Sequence, residues 1–579
     1  MATKGSRVLA AGGRIGYTFD ITPTVATAIV VAAAIIVAVW RWRVRLEHRR
    51  RLRTVWGQPR DRPRPMALIA EYHRVRLAEV GADASLDDRT CDDLHVDAVF
   101  ALLDRTESTV GQQALYHRLR TAPLAAHLDA FEALVTHVGT HRDERERLQR
   151  ALAALHDPAA YHLCALADEE LRPRRWHVLF PVLTAAMVAA LMAAPFWPAA
   201  VLVAICGVVL HFLLRIALAG RTGGILALFR QIAPLLAAGE VIARLRVADA
   251  EPLLAPLADA LPQLRRLRVY AWWAGGHSAG NDLVDGLYEY LNLIFLLDAN
   301  AFLFGARELR RRGDALLTVV GAVGEADAAI AVASYRAGTT GWTRPRRRPI
   351  GAPIALDGVR HPLIDGAVPN RIALAPPAGL LLTGANMSGK STLLRTVGIN
   401  VVLAQTINTC LASSYDAPVL RVRSLMGRAD DLIAGKSYYL IEAETLVGML
   451  AAAAAGPPHL FLFDELFRGT NTVERIAAGA AVLMHLAGEC GRPGPHVVLA
   501  ATHDRELVTL LDGRLTPAHL SDSIGPNGLV FDYQLRDGAA TTRNAIALLK
   551  LSGAPDVVVS GAESLAGALD AARRLATDA

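Results

Sequence analysis

Lysine is nearly missing from this chain. Of 61 basic residues only Lys4, Lys390, Lys436 and Lys550 are lysines. Arginine is the default cation, so a lysine marks a place where a compact point charge serves better than a planar fork. Cysteine is scarce as well. Cys91, Cys164, Cys206, Cys410 and Cys490 are scattered, with no pair at metal-ligand or redox spacing. That leaves no disulfide framework and no cysteine-bound zinc, and predicts free thiols in a reducing cytoplasm. There is no internal repeat. The net charge is a modest +6, and the basic run Arg344-Pro-Arg-Arg-Arg348 has no aromatic interleaved, so a single-strand nucleic-acid platform has no support there.

Apolar residues, by contrast, are abundant. They make up 53% of the 579 residues, and the mean hydropathy is +0.29, high for a soluble protein. The length implies several domains.

The most specific pattern is Leu382-Thr-Gly-Ala-Asn-Met-Ser-Gly-Lys-Ser-Thr392. An apolar run, Leu380 to Leu382, precedes it and a helix-like run, Leu393 to Ala404, follows. Strand, glycine loop and helix in that order form a phosphate cradle. The cradle comprises Gly384, Ala385, Asn386, Met387, Ser388, Gly389, Lys390, Ser391 and Thr392. Its glycines let backbone N–H groups turn onto the phosphates of ATP. Lys390 reaches the β/γ-phosphates, and the Ser391 hydroxyl completes a Mg2+ shell.

Two more strand ends complete an ATPase. His459-Leu-Phe-Leu-Phe-Asp464-Glu465 is an apolar strand closed by two carboxylates. Asp464 is placed to hold Mg2+ and Glu465 to polarise the attacking water as general base. Val497 to Ala501 is a second apolar strand, ending at Thr502-His503-Asp504. His503 then sits at the carboxyl end of a neighbouring strand, able to sense the γ-phosphate or the water.

Three further segments name a family: Arg428-Ala-Asp-Asp-Leu432, Gly435-Lys-Ser-Tyr-Tyr-Leu-Ile-Glu442 and Asp464-Glu-Leu-Phe-Arg-Gly-Thr-Asn-Thr472. With the phosphate loop and Ala501-Thr-His-Asp504, they resemble the ATPase domain of the MutS family of DNA mismatch-repair proteins. The ordered match runs from Gly358-Val-Arg-His-Pro362 and Pro369-Asn370 to Tyr533-Gln-Leu-Arg-Asp-Gly538 and a helix near Asn544 to Leu551. The resemblance implies an α/β P-loop NTPase domain of the MutS/ABC type, working as a head-to-tail homodimer with composite ATP sites. It makes Ser437 the serine that reaches the partner's γ-phosphate and Asn386 the family's phosphate-loop Asn. Two departures, Ser388 and Phe467 where the repair proteins have Gly, remove no catalytic group and mark a divergent branch.

Upstream the likeness is weaker. Leu86-Asp-Asp-Arg-Thr90, Leu102-Leu-Asp-Arg-Thr106, Gly111 and Leu119 to Pro123 resemble the start of an all-α core and lever, and Leu287 to Tyr335 the helices returning from it. About 85 residues precede this core, with Phe19 their sole phenylalanine and no Phe-x-Glu wedge. Mismatch reading is therefore not expected.

Membrane-like segments stand there instead. Ile21 to Trp40 carries no charge over 20 residues and is followed by Arg41, Arg43, Arg45, Arg49, Arg50, Arg51 and Arg53. At about 1.5 Å per residue it covers the hydrocarbon thickness. It has no small-residue cleavage site, which argues against a signal peptide. Val178 to Leu214 is likewise free of Asp, Glu, Lys and Arg, and Pro195-Phe-Trp-Pro198 divides it into two halves. Basic flanks stay in the cytoplasm. Three spans then give a multi-pass cell-membrane protein with 41–177 and 215–579 cytoplasmic. The basic run beside the first span is suited to anionic lipid heads. Arg344-Pro-Arg-Arg-Arg348 reads as a solvated linker.

The expected order is a tail (1–20), a span (21–40), a basic linker (41–84), a first helical core segment (85–176), a hairpin (178–214), a helical lever (215–343), the ATPase domain (350–555) and a helical tail (556–579). The expected function is a membrane-anchored MutS-like ATPase that binds DNA without classical mismatch reading. The alternative is a membrane-associated mechanochemical ATPase acting on a protein or ribosomal partner. Three spans, with no Leu-Ser-Gly-Gly signature, disfavour a transporter.

Overall fold

The computed structural model describes residues 23–577 except 82–83, 123–124, 168–174, 275–281, 375–378, 385–387, 428–437, 456, 469, 489–495, 526–527 and 541–544. It divides into two compact units, 1–56 and 57–579. In its described part the first is a single helix, α1 (Pro23–Val55). It takes up the expected span from Pro23 and continues through the arginine run without a break. The residues before it, 1–22, lie outside the described part.

The second unit begins with helices α2 (Met66–Val80), α3 (Asp88–Asp93), α4 (Val96–Leu103), α5 (Thr109–Arg120), α6 (Ala125–Thr140) and α7 (Arg142–Leu152). Residues 57–80, expected in a linker, belong to this helical core. Arg60 bonds the Glu107 carboxylate, and Arg62 and Arg64 both reach Asp104, which is fully buried. Such pairing is what a buried carboxylate requires. Asp87 and Ser108 cap α3 and α5 by accepting from the N–H groups of Thr90 and Gly111.

A hairpin follows, α8 (Leu179–Ala193) and α9 (Pro198–Ala243), turning at Ala194–Trp197. The turn falls at the Pro-Phe-Trp-Pro break. The expected end at Leu214 does not exist: α9 is 46 residues long in all and runs on to Ala243 in the core. Charge flanks report where apolar surface stops, not where a helix stops. Then come α10 (Glu251–Gln263), α11 (Arg265–Trp273), α12 (Asp282–Phe295) and α13 (Leu297–Gly338). The last is 42 residues long and kinked at Arg312. Its second half is the centre of the helical core, with Val319, Val323, Ala329 and Ile330 fully buried.

The C-terminal domain holds two sheets. β1 (Arg346–Arg348), β2 (Ile354–Val359), β3 (Asn370–Leu374) and β5 (Ser414–Pro418) form one, in the order β1-β5-β2-β3. The tri-arginine stretch expected to be a solvated linker is thus an edge strand. Arg347 pairs with Asp129 and Arg348 with Asp416. The main sheet contains β4 (Gly379–Thr383), β6 (Arg421–Met426), β7 (His459–Asp464), β8 (Val497–Ala501), β9 (Leu515–Gly525) and β10 (Gly528–Asp537). Its order is β10-β9-β4-β8-β7-β6, parallel except for β10. β4 and β8 are buried at every position, as strands covered on both faces must be. The covering helices are α14 (Lys390–Thr406), α15 (Tyr438–Ala455), α16 (Thr472–Ala487) and α17 (Glu506–Leu510). Two more, α18 (Ala545–Leu551) and α19 (Asp556–Thr577), end the chain.

Helical core and sheet domain are joined by polar contacts. Asp93 accepts from Ser424 Oγ at 2.8 Å and Met426 N–H at 3.1 Å, and Thr90 Oγ1 accepts from Ser424 N–H. These acceptors lie along β6, the edge strand of the main sheet. At the far end of α14, Arg118 donates to Thr406 O, and Arg336 to the carbonyls of Ile407 and Asn408. Two guanidinium groups thus neutralise the negative end of that helix dipole.

Candidate functional site

The phosphate loop lies between β4 and α14, at the carboxyl end of the parallel strands. Gly384 and Gly389 adopt φ of 137° and 100°, a region that favours glycine. A Cβ on Gly384 would come within 2.8 Å of Leu520 O, so the position also lacks room. Gly389 precedes the first turn of α14, and Lys390 opens it. Ala385, Asn386, Met387 and Ser437 fall outside the described residues.

Three predicted residues meet at the loop mouth. The Lys390 ammonium donates to Gly384 O at 2.9 Å and lies 3.3 Å from His503 Nε2. His503 Nε2 is 2.8 Å from Glu465 Oε1. One ring nitrogen carries at most one proton, so the shorter contact makes Nε2–H the donor to Glu465. The other Glu465 oxygen is 3.2 Å from Arg468 Nε. The hydrogen bond from His503 holds the Glu465 carboxyl below the usual range. Burial opposes this, and the charges of His503, Arg468 and Lys390 support it. Glu465 is thereby kept anionic.

Each of these side chains is set by its strand end. β7 and β8 are in register through Asp464 and Ala501. Glu465 leaves β7 at a φ of 57°, its N–H donating to Ala501 O at 3.0 Å. Thr502 N–H donates to Leu382 O, and Asp504, beyond His503, is held by Arg475 at 2.6 Å. Asp464, Ser391 and Thr392 are half-buried at the same edge.

Two features carry no sequence prediction. Glu442, quoted above only as part of a family segment, is 1% exposed on α15. One oxygen accepts the Phe467 N–H at 2.6 Å, and the other, Oε2, has no partner among the described residues. Burial pushes its carboxyl up. Phe467 has a φ of 58°, so Glu442 braces a strained turn two residues beyond Glu465. A lone acid in the apolar face of α15 was the available signal. The second feature is a cavity of ≈ 430 Å³ sharing Gly389 with the loop, walled by Ile364, Val368, Thr392, Leu393, Thr396 and Tyr533. Asn370 holds its two sides together, donating to Tyr533 O and accepting from Leu535 N–H.

These residues fit a magnesium nucleotide. Ser388 Oγ is fully buried in the loop with no partner among the described residues. Buried hydroxyls are ordinarily bonded, so an acceptor from outside completes it. A mostly apolar cavity beside a phosphate cradle has the size and lining of a nucleoside site.

The family description "MutS domain V" matches residues 380–570. The C-terminal domain belongs to the MutS family. Curated relatives agree. "DNA mismatch repair protein MutS 2" of Halobacterium salinarum is 35% identical over 224 residues, 37% of this chain and 25% of that protein. "DNA mismatch repair protein MutS" of Thermus thermophilus is 32% identical over 292 residues, 50% of this chain and 34% of that protein. The MutS protein of Streptococcus mutans is 32% identical over 223 residues, 37% and 25% of the two chains. The 292 aligned residues exceed the span of domain V, so the MutS likeness continues beyond it. The chain spans about a quarter to a third of the length of these relatives. The family match and the glycine loop together support ATP binding by this domain.

Proposed function

We propose that this chain is a membrane-anchored MutS-type ATPase. It hydrolyses ATP with Mg2+ at composite sites of a homodimer and uses the cycle to move its long helices against a bound partner. The observation that carries the ATPase reading is the contact chain Lys390–His503–Glu465 at a glycine-walled loop. Magnesium ATP, when bound, supplies the phosphoryl group and its electrophilic phosphorus. Lys390 exchanges Gly384 O for phosphate oxygens. Ser391 and Asp464 would hold the metal, and Glu465, freed from His503, would orient water and take its proton. His503 reports whether Glu465 is engaged. Ser437 of the second copy completes the site.

Anchoring is supported by the hairpin surface. Seventeen large apolar side chains from Val178 to Ile216 are exposed, including Leu202 and Phe212. In water each would forgo on the order of 1 kcal/mol of burial, a total comparable to the stability of a whole domain. Phe196 and Trp197 project at the tip, 88% and 72% exposed, while Trp176 and Arg215 mark the base. Trp197 to Arg215 is 18 residues, roughly 27 Å of helix, close to the hydrocarbon thickness. Aromatic and basic residues at the two edges suit the two interfaces. The ATPase domain then lies in the cytoplasm.

DNA is the first partner to test, because the relatives are named for DNA mismatch repair. Mismatch reading is not part of the proposal. The alternative, a protein or ribosomal partner, is favoured by one observation: the net charge of the whole chain is only +6, with much of the basic excess beside the first apolar segment. The test is DNA binding by the Glu465→Gln protein with ATP in detergent, using homoduplex, mismatched and branched DNA across a salt series. Binding that weakens steeply with salt is expected of a DNA clamp. ATP-driven dimerisation without DNA binding would assign the cycle to a protein partner. Monomer in ATP would remove the composite site.

A further inference from the structure

The connection between α12 and α13 is built for hydrocarbon rather than water. Surface turns are ordinarily made of Gly, Asn, Asp, Ser and Pro. This one reads Leu293, Ile294, Phe295, Leu296, Leu297. Leu296 sits in the left-handed region at φ 49°, where glycine or asparagine would be relaxed. An apolar side chain is kept there at a cost of about 1–2 kcal/mol.

The polar groups of the turn are answered from within the protein. Helix α12 ends with carbonyls that water would normally take. Here His211 Nδ1 donates to Ile294 O at 2.9 Å, and Thr184 Oγ1 donates to Phe295 O at 2.9 Å. Asn300 Nδ2 donates to Leu296 O at 3.0 Å and reaches Thr184 Oγ1 and Phe295 O. Asp298 is served on both oxygens, by Tyr288 OH and Asn292 Nδ2, and its own N–H donates to Asn292 Oδ1. Irregular chain at membrane depth has to be buried in protein with its polar groups answered there. Leu296 is 3% exposed, and Asn300 Oδ1 is the one buried side-chain atom of this cluster with no partner among the described residues.

The turn also stands at the right height. His211 lies four residues, roughly 6 Å, nearer the hairpin tip than Arg215, and Thr184 lies eight residues, roughly 12 Å, nearer than Trp176. Arg215 pairs with Glu289, beside Tyr290, which is 71% exposed. These residues form a polar and aromatic rim, and the turn passes beyond it. Leu293, Phe295 and Leu297 are half-buried beside the exposed apolar band of the hairpin, and Ile294 packs on Met187, Ala190 and Ala204.

We propose that the α12–α13 turn is a re-entrant element that dips into the cytoplasmic leaflet beside the hairpin and contacts lipid acyl chains. It rests on the membrane reading above. It adds that α13, whose other end grips α14 through Arg336, begins inside the lipid layer.

The experiment uses full-length protein lacking its native cysteines, reconstituted in phosphatidylcholine–phosphatidylglycerol vesicles with brominated acyl chains. Single cysteines at Leu202, Leu297 and Asp512 carry an environment-sensitive fluorophore. Leu202 reports the hairpin, Leu297 the turn, and exposed Asp512 the solvent. The expected result is blue-shifted emission and bromolipid quenching at Leu202 and Leu297, with neither at Asp512. Quenching at Leu202 with water-like emission at Leu297 overturns the re-entrant turn and leaves the hairpin reading intact. Water-like emission at all three overturns both. Where the Leu297 cysteine prevents folding, judged by thermal unfolding, Leu293 takes its place with the same outcomes.

Discussion

Two stretches of this chain look alike in composition and behave oppositely. The hairpin helices and the long helix α13 all contain windows apolar and long enough to cross a membrane. In the hairpin only 22% and 17% of those windows is buried by protein, against 72% in α13. The difference comes from neighbours. α13 is surrounded by α5, α6, α9 and α10, and carries Asp327, whose carboxylate accepts from Glu107 N–H, Ser108 N–H and Ser108 Oγ. The hairpin has α12 along one side and presents its remaining apolar faces outward. Hydropathy sets the wish to leave water. Tertiary partners decide whether protein or another solvent grants it.

The sharpest way to break this comparison is a matched pair of carboxylates. Ala329→Asp places an unpaired acid in the α13 core, and a loss of 4 kcal/mol or more, at about the upper end for single substitutions, is expected in urea unfolding. Val203→Asp on the hairpin should leave that transition unchanged in detergent and instead reduce partition into vesicles. Equal effects on unfolding would erase the distinction between the two helices.

Next in size is Lys390→Ala, for which ATP turnover should fall by about 100-fold or more. Val203→Asp in detergent should retain turnover, since the site and the hairpin are separate. Glu442→Gln comes after it. Loss of a charge-assisted bond to Phe467 should lower kcat about tenfold with KM for ATP little changed, because the brace orients Glu465 rather than binding nucleotide. An equal rise in KM would make Glu442 a general structural residue instead.

The smallest effect is on pH. His73 and His117 face each other in the helical core with Nδ1 atoms 3.0 Å apart. Burial pushes His73 down to about 4 and His117 to about 3, each helped by neighbouring positive charge. Unfolding returns them to about 6.5, so the unfolded state takes up protons first as pH falls. Stability is therefore full above pH 6.5 and declines toward pH 4, by on the order of 1 kcal/mol per unit for each histidine. Thermal unfolding of His117→Phe across that range should show a shallower decline. No change in slope would mean the pair does not titrate as described.

Much of the ATPase domain was legible because parallel strands write themselves as unbroken apolar runs. β4, β7 and β8 fall where Leu380–Leu382, His459–Asp464 and Val497–Ala501 stand. The loop glycines and the acidic pair were equally plain. Contacts distant in sequence were not. Nothing local announces that Glu442 braces Phe467, or that the cavity is walled from Ile364, Thr396 and Tyr533 at once. The arginines near the start of the second unit fell in the expected basic linker, yet Arg62 and Arg64 serve a buried Asp104. A guanidinium is ambiguous until its acceptor is known. The α12–α13 turn escaped notice for the opposite reason: its apolar letters read as more helix.

The side chains of Thr90 and Asp93 along β6 have a practical consequence. The sheet domain does not end where its motif ends. A fragment cut before Gly358 would carry a bare edge strand, open to pairing with any other chain. It would also leave the carbonyls of Thr406, Ile407 and Asn408 without their guanidiniums. Such a piece should aggregate on expression, however complete its catalytic residues. For the same reason, transplanting this engine into another protein would require moving α3, Arg118 and Arg336 with it.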